Sequence, residues 1–149
     1  MTNKMKRKGT DWERGLAKIL SEKLLGGKFK RIPGSGALGT IMSESRLTGD
    51  IVGSIPFLPK RIKIEAKTGY GGSKQLTIQR EWLEKIREEA DAAYALPALM
   101  CKFSGAKVGV KHFVVLDIDA FIEILNTGHK LQEDFIKLQE EYRTFPKEK

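Results

Sequence analysis

Apolar residues near the start of the chain recur every three or four positions, which predicts an amphipathic helix. They are Trp12, Leu16, Ile19, Leu20 and Leu24. Thr10 and Glu13 have the spacing of a capping box, so the helix should begin near Thr10 and end at Gly26-Gly27. The basic residues 1–8 that precede it are predicted to form a flexible arm.

Two strands are predicted after this helix. Prolines and glycines interrupt any regular pattern between residues 31 and 49, so we expect a loop there. A short strand should span Asp50–Ser54, and the prolines of residues 55–60 mark a connection. In Arg61–Lys67 the residues alternate between apolar and charged, as in a strand with one face toward the core. The apolar face carries Ile62, Ile64 and Ala66, and the charged face carries Arg61, Lys63, Glu65 and Lys67.

The second half of the chain alternates helical and strand patterns. A helix is predicted over 77–93, where Ile78, Trp82, Ile86 and Ala90 share one face. Strands should follow at Pro97–Phe103 and Lys111–Leu116, and two short helices at Ile118–Leu125 and Leu131–Tyr142. This order predicts one α/β domain over residues 1–149, a mixed central sheet flanked by helices, with residues 129–149 as a C-terminal helical extension.

The net charge of the chain indicates what kind of partner it binds. The 149 residues carry a formal net charge of +8, which favours a polyanion such as nucleic acid or an anionic membrane. Residues 1–31 hold ten Lys or Arg and three Asp or Glu, so their net charge is 10 − 3 = +7. A basic N-terminal segment is a common way to reach phosphates, and a solvated helix face is the alternative.

Several classes of protein are excluded by residues that are missing. The single cysteine, Cys101, rules out a disulfide framework and a zinc site of several thiolates. No run approaches the roughly 20 apolar residues of a membrane span, and no apolar region follows the basic N-terminus as in a secretory signal. We therefore expect a cytoplasmic protein with no membrane partner, in the host cytoplasm if the protein is viral.

The candidate chemistry lies in Asp50 and in Glu65-Ala66-Lys67. Side chains two residues apart on a strand share a face, so Glu65 and Lys67 lie roughly 6–7 Å apart along it. If the Asp50 strand pairs beside them, two carboxylates form a hard oxygen site suited to Mg²⁺ or Mn²⁺, to which the carbonyl of Ala66 could add a ligand. Such a site fits phosphodiester hydrolysis, in which Lys67 would orient water or stabilise charge on the phosphate.

Each of these signals has an ordinary structural alternative. Glu-x-Lys on a strand is also what a solvated face of alternating charge produces. Glu13 lies within the apolar stripe of the first helix, so it either caps the helix or meets a metal or another partner. The Pro33-Gly34-Ser35-Gly36 segment could cradle a phosphate with backbone N–H groups, or it could be a plain turn.

Taken together, the motifs resemble the archaeal Hjc family of Holliday junction resolvases, versions of which occur in viruses, within the restriction-endonuclease-like PD-(D/E)xK nucleases. The resemblance covers about residues 6–117, and its most specific part is Arg-x-Pro-Gly-Ser-Gly. The matching runs, in order, are Lys8-Gly9, Glu13-Arg14, Arg31-x-Pro-Gly-Ser-Gly, Gly-Asp-Ile-Val, Ile-Glu-Ala-Lys and a helix with Leu-Glu-Lys-Ile.

This resemblance implies a restriction-endonuclease-like fold and a homodimer that cuts branched DNA. Glu13, Asp50 and Glu65 would bind Mg²⁺, with Mn²⁺ able to substitute, Lys67 would assist the water, and Ser35 would contact the scissile region. The residues implied to hold nucleic acid are Lys6, Arg7, Lys8, Arg14, Lys30, Arg31, Ser35 and Gln79.

The chain departs from the family pattern at several positions. Gly49 replaces the usual proline before the aspartate, and Ala66 replaces the usual cysteine, but neither change removes a ligand. Trp82 stands where relatives often carry glutamine, and Gln79, one turn earlier, is the alternative.

The sequence is therefore compatible with three functions. The first is an endonuclease that resolves four-way junctions and leaves 5′-phosphate and 3′-hydroxyl ends. The second is a related nuclease acting on duplex, flap or other branched DNA. The third is a non-catalytic DNA-binding module.

Overall fold

The structure, a computed structural model, describes residues 3–33, 50–69, 75–103, 105 and 110–145, with side chains described from residue 7 onward. Its helices are α1 (Asn3–Lys23), α2 (Arg80–Ala92) and α3 (Ile118–Thr144). Its strands are β1 (Lys28–Arg31), β2 (Ile51–Ser54), β3 (Arg61–Thr68), β4 (Ala95–Lys102) and β5 (His112–Val115).

The five strands form one mixed sheet in the order β1-β2-β3-β4-β5. Strands β3 and β4 are parallel, as expected when helix α2 connects them, and the other three pairs are antiparallel. The predicted mixed sheet with flanking helices is therefore confirmed. Among the described residues, no helix is both long and apolar enough to cross a bilayer.

The central strand β3 is covered on both faces. Ile62 and Ile64 pack with Trp12 and Leu16 of α1 in the main core. On the opposite face Lys63 and Glu65 are also buried, although they alternate with the apolar residues as a solvent-facing set would. Because α2 lies over this face of β3, Lys63 and Glu65 are removed from water and need polar partners.

Two predicted helix starts are wrong. Helix α1 begins at Asn3, so Thr10 and Glu13 lie inside it and form no capping box, and residues 3–8 belong to the helix. Lysine and arginine are good helix formers and extend the helix toward the N-terminus. Helix α2 begins at Arg80, after Gln79, and leaves Ile78 outside.

The C-terminal segment forms one helix where two short helices were predicted. Gly128 does not interrupt α3, which runs without a break from Ile118 to Thr144. A helical glycine costs only about 1 kcal/mol relative to alanine, so flanking helix formers can carry the helix through it.

Strand β1 is not predicted by the sequence pattern. It has four residues at the edge of the sheet, two of them lysines, and short charged edge strands are common because they discourage pairing with other chains.

Gly53 and Gly128 should respond in opposite directions to replacement by alanine. A Cβ at Gly53 would lie 2.0 Å from Cδ1 of Phe29, which is in the core, so Gly53→Ala should lower the free energy of unfolding by about 1–3 kcal/mol. A Cβ at Gly128 would meet no described atom within 4 Å, so Gly128→Ala should raise the free energy of unfolding by about 0.5–1 kcal/mol. Urea denaturation measures both, and equal stability of Gly53→Ala and the parent would contradict the packing of β2 on Phe29.

Candidate active site

Asp50 is held at the start of β2 by the sheet itself. Its backbone N–H donates to the Ile64 carbonyl at 3.0 Å, and its carbonyl accepts from the Ile32 N–H at 2.9 Å. These bonds orient the side chain toward β3, where Oδ2 accepts a hydrogen bond of 2.8 Å from the Ala66 backbone N–H. The Asp50 carboxylate therefore contacts Ala66, the residue between Glu65 and Lys67.

Glu65 projects from β3 toward α2 and is almost fully buried. Its Oε1 lies 2.6 Å from the Lys67 ammonium nitrogen, and its Oε2 lies 3.4 Å from that of Lys85 on α2. The indole of Trp82, also on α2, has its ring centroid 4.8 Å from the Lys67 nitrogen. A buried carboxylate requires compensation of this kind, and here two lysines supply it.

The charges around Asp50 are less balanced. Burial raises the pKa of Asp50 to about 6, and the neighbouring carboxylates of Glu65 and Glu13 act in the same direction. The Ala66 N–H and the Lys67 ammonium oppose this rise but do not overcome it. Burial is therefore the main reason why the charged form of Asp50 is disfavoured, and the neighbouring carboxylates add to it.

Glu13 takes a different partner from the two strand carboxylates. It lies on α1, is largely buried, and forms an ion pair with Arg31 of β1. Across the described ranges, no three His, Cys, Asp or Glu side chains converge closely enough to hold a metal ion. Glu13 is thus near enough to influence Asp50 electrostatically, while its closest contact is a guanidinium.

Two of the predicted DNA-binding residues, Lys8 and Arg31, make contacts that place them near this site. Lys8 of α1 donates from its ammonium to the Gly69 carbonyl at 3.2 Å, which places it beside the end of β3 that carries Lys67. Arg7, Arg14, Lys30 and Gln79 are exposed, and Gln79 is the N-cap residue of α2 without a side-chain cap bond. Ser35 and the side chain of Lys6 lie outside the described residues.

The comparisons with known proteins place this chain in a family. A family model described as "Phage putative PDDEXK endonuclease" matches residues 4–148. The protein belongs to this PDDEXK endonuclease family. No curated protein sequence matches the chain.

Among solved structures, this PDDEXK endonuclease is similar to Archaeoglobus fulgidus Hjc, a Holliday junction resolvase from an archaeal hyperthermophile. The two are 20% identical, the match spans 74% of this chain and 84% of the Hjc chain, and the TM-score is 0.46. At that distance the likeness carries no argument about the substrate.

Two residues of the PDDEXK endonuclease site were not predicted from sequence. In the sequence, Lys85 belongs to the Leu-Glu-Lys-Ile run but has no predicted role, and Trp82 is placed only on the apolar face of the predicted helix. They are three residues apart and so share a face of α2, which the helical pattern could have shown. What it could not show is that this face lies over Glu65 and Lys67.

The donor set of the PDDEXK endonuclease fits a hard divalent cation. Asp50 and Glu65 offer carboxylate oxygens, and a cation would favour the charged form of Asp50, which burial and the carboxylates of Glu65 and Glu13 disfavour. Mg²⁺ usually binds through one or two carboxylates and keeps several waters, so a third protein carboxylate is not required.

Proposed function

We propose that this PDDEXK endonuclease resolves four-way DNA junctions as a homodimer, with Asp50, Glu65 and Lys67 in each active site. The observation that carries the site is the Asp50 carboxylate on the Ala66 N–H, between the acidic and basic residues of the Glu-x-Lys motif. The junction substrate is supported by the Arg-x-Pro-Gly-Ser-Gly resemblance and by the basic N-terminal third of the chain.

In this proposal Asp50 and Glu65 hold Mg²⁺ or Mn²⁺, and the Ala66 carbonyl is a further candidate ligand. The cation would neutralise charge on the scissile phosphate and lower the pKa of water at the site. Glu13 would contribute through its charge and through its hold on Arg31, rather than as a close third carboxylate.

The lysines have separate tasks in this scheme. Lys67 would stabilise negative charge that develops on the phosphate, and the Trp82 ring would limit the positions of its ammonium group by a cation–π contact. Lys85 binds the other oxygen of Glu65 and keeps that carboxylate oriented. Burial disfavours the charged form of Lys85, but the carboxylates of Glu65 and Glu89 raise its pKa, so it remains cationic.

The reaction is an in-line attack of water on one phosphorus atom per active site. A phosphorus–oxygen bond forms with the water oxygen, which releases a proton to solvent, while the bond to the 3′ oxygen breaks and that oxygen takes up a proton. The products are 5′-phosphate and 3′-hydroxyl ends. Arg7, Lys8, Arg14 and Lys30 would hold neighbouring phosphates, and this binding should weaken as salt rises because phosphate contacts release counterions.

The experiment compares substrates. Labelled four-way junction, linear duplex and flap DNA are incubated with the protein and Mg²⁺, with Glu65→Gln as the inactive control. Paired, symmetric cuts in the junction alone are expected. Equal cutting of all three substrates would contradict junction specificity and indicate a nuclease of broader substrate range. Binding without cleavage in both Mg²⁺ and Mn²⁺ would favour a non-catalytic module.

A further inference from the structure

The second half of α3 presents large apolar side chains to water. Every residue from 129 to 145 is exposed in the described structure. Six of these residues are large and apolar or aromatic, and they are between 46% and 82% exposed: Leu131, Phe135, Ile136, Leu138, Tyr142 and Phe145. The first half of the helix is anchored differently, because Ala120 is buried and Ile124 packs against the core.

Four of these residues, Leu131, Phe135, Leu138 and Tyr142, follow a heptad repeat within α3, whereas Ile136 lies beside it at a b position and Phe145 is the extended C-cap residue. The four are spaced by four, three and four residues, which places Phe135 and Tyr142 at the a positions and Leu131 and Leu138 at the d positions. Toward the N-terminus the same register passes through Gly128 to Ile124, which packs against the core of its own domain, so the free stripe begins at Leu131. An apolar stripe of this period is what one helix presents to another in a coiled coil, and it is narrower than the face a helix lays on a sheet.

The flanking positions indicate which helix would fit. The g positions carry acids, Asp134 and Glu141, whereas the e positions carry amides, Gln132 and Gln139. In a parallel pair of identical helices, g faces e of the partner, so Asp134 meets Gln139 and no like charges are opposed. An antiparallel pair would oppose acid to acid along the g positions, which is unfavourable.

We propose that the heptad face of α3 pairs with the same face of a second copy of this chain in a parallel, two-stranded coiled coil. The pairing joins two nuclease domains about a two-fold axis along the helices. It gives the homodimer of the proposed function an interface, but it rests on α3 alone and not on the DNA substrate.

The test is the molar mass in solution of the full chain and of two matched variants. The wild type should have twice the monomer mass of 16.7 kDa. Leu131→Gln/Leu138→Gln should be monomeric, whereas Lys130→Gln/Lys137→Gln, on the c positions of the same helix, should remain dimeric. All four side chains are outside the core, so circular dichroism should show that both variants fold.

Direction is tested by cysteine cross-linking. The native Cys101 is buried, so a cysteine introduced on α3 is the accessible thiol. In a parallel pair every d position faces its own copy, and both Leu131→Cys and Leu138→Cys should oxidise to covalent dimers, while Glu133→Cys on the outer face should not. An antiparallel pair would cross-link only at a site near its two-fold axis.

The outcomes separate this inference from the proposed function. A monomeric wild type, or a dimer unaffected by Leu131→Gln/Leu138→Gln, would overturn the coiled coil while leaving the active site intact. A monomeric double variant should still nick junction DNA, and it should lose the pairing of its two cuts.

Discussion

Glu65→Gln is expected to lower the rate of DNA cleavage by at least about 1000-fold while leaving DNA binding close to that of the wild type. The amide is isosteric with the carboxylate but cannot supply the negative charge that holds a cation. It also leaves Lys67 and Lys85 without their shared partner, so positive charge at the site increases and phosphate binding is not weakened. Single-turnover cleavage and fluorescence anisotropy measure the two quantities.

The matched control for this change is Glu84→Gln. Glu84 lies on the same helix as Lys85, is half exposed and pairs with Arg80, so its replacement removes an identical charge outside the site. We expect wild-type cleavage from this variant. Cleavage by Glu65→Gln within about tenfold of the wild type, a difference of about 1.4 kcal/mol in activation free energy, would exclude Glu65 from the chemistry.

Asp50→Asn is expected to abolish cleavage and, at the same time, to stabilise the metal-free protein at neutral pH. The amide oxygen can still accept the Ala66 N–H, but the charge that is disfavoured by burial and by Glu65 is gone. A rise in pKa from 3.8 to about 6 corresponds to at most about 3 kcal/mol, and to less where solvent screens the carboxylate.

The sign of the pH dependence follows from linkage. Asp50 has a higher pKa in the folded protein than in the unfolded chain, so the folded state binds more protons between about pH 4 and 6. The stability of the wild type should therefore fall as pH rises through this range, relative to Asp50→Asn. Urea denaturation at several pH values without metal measures the difference, which should be small near pH 4 and largest at pH 7.

The exposed residue Asp11 provides a control for this effect. Asp11 lies on α1 and pairs loosely with Arg14, so Asp11→Asn should change stability little at any pH. If Asp50→Asn were less stable than the wild type at pH 7 without metal, the crowding of carboxylates at this site would be contradicted.

The part of the site that lies on neighbouring strands could be predicted from sequence. The alternation in β3 placed Glu65 and Lys67 on one face, and the short apolar run after Asp50 predicted the strand that pairs with β3. Both inferences need only the two-residue period of a strand and antiparallel pairing, which are local rules. The mixed sheet followed from the order of helical and strand patterns in the same way.

The rest of the site depends on contacts between distant segments. Arg31 is paired with Glu13 because β1 lies next to α1, and β1 is too short to give a periodic signal. Lys85 reaches Glu65 only because α2 packs on the charged face of β3, which the alternation alone assigned to solvent. Helix ends were also missed, because good helix formers extended α1 to Asn3.

The central claim is that Asp50 and Glu65 together hold the divalent cation that cleavage requires. It is tested most directly by the shift in Tm when Mg²⁺ or Mn²⁺ is added to the wild type, Asp50→Asn and Glu65→Gln at one protein concentration. A cation that binds only the folded state raises Tm, because it stabilises that state by RT ln(1 + [L]/Kd), where [L] is the free cation concentration. We predict a rise for the wild type and none for either variant. An equal rise in all three proteins would contradict the assignment, as would no rise in the wild type.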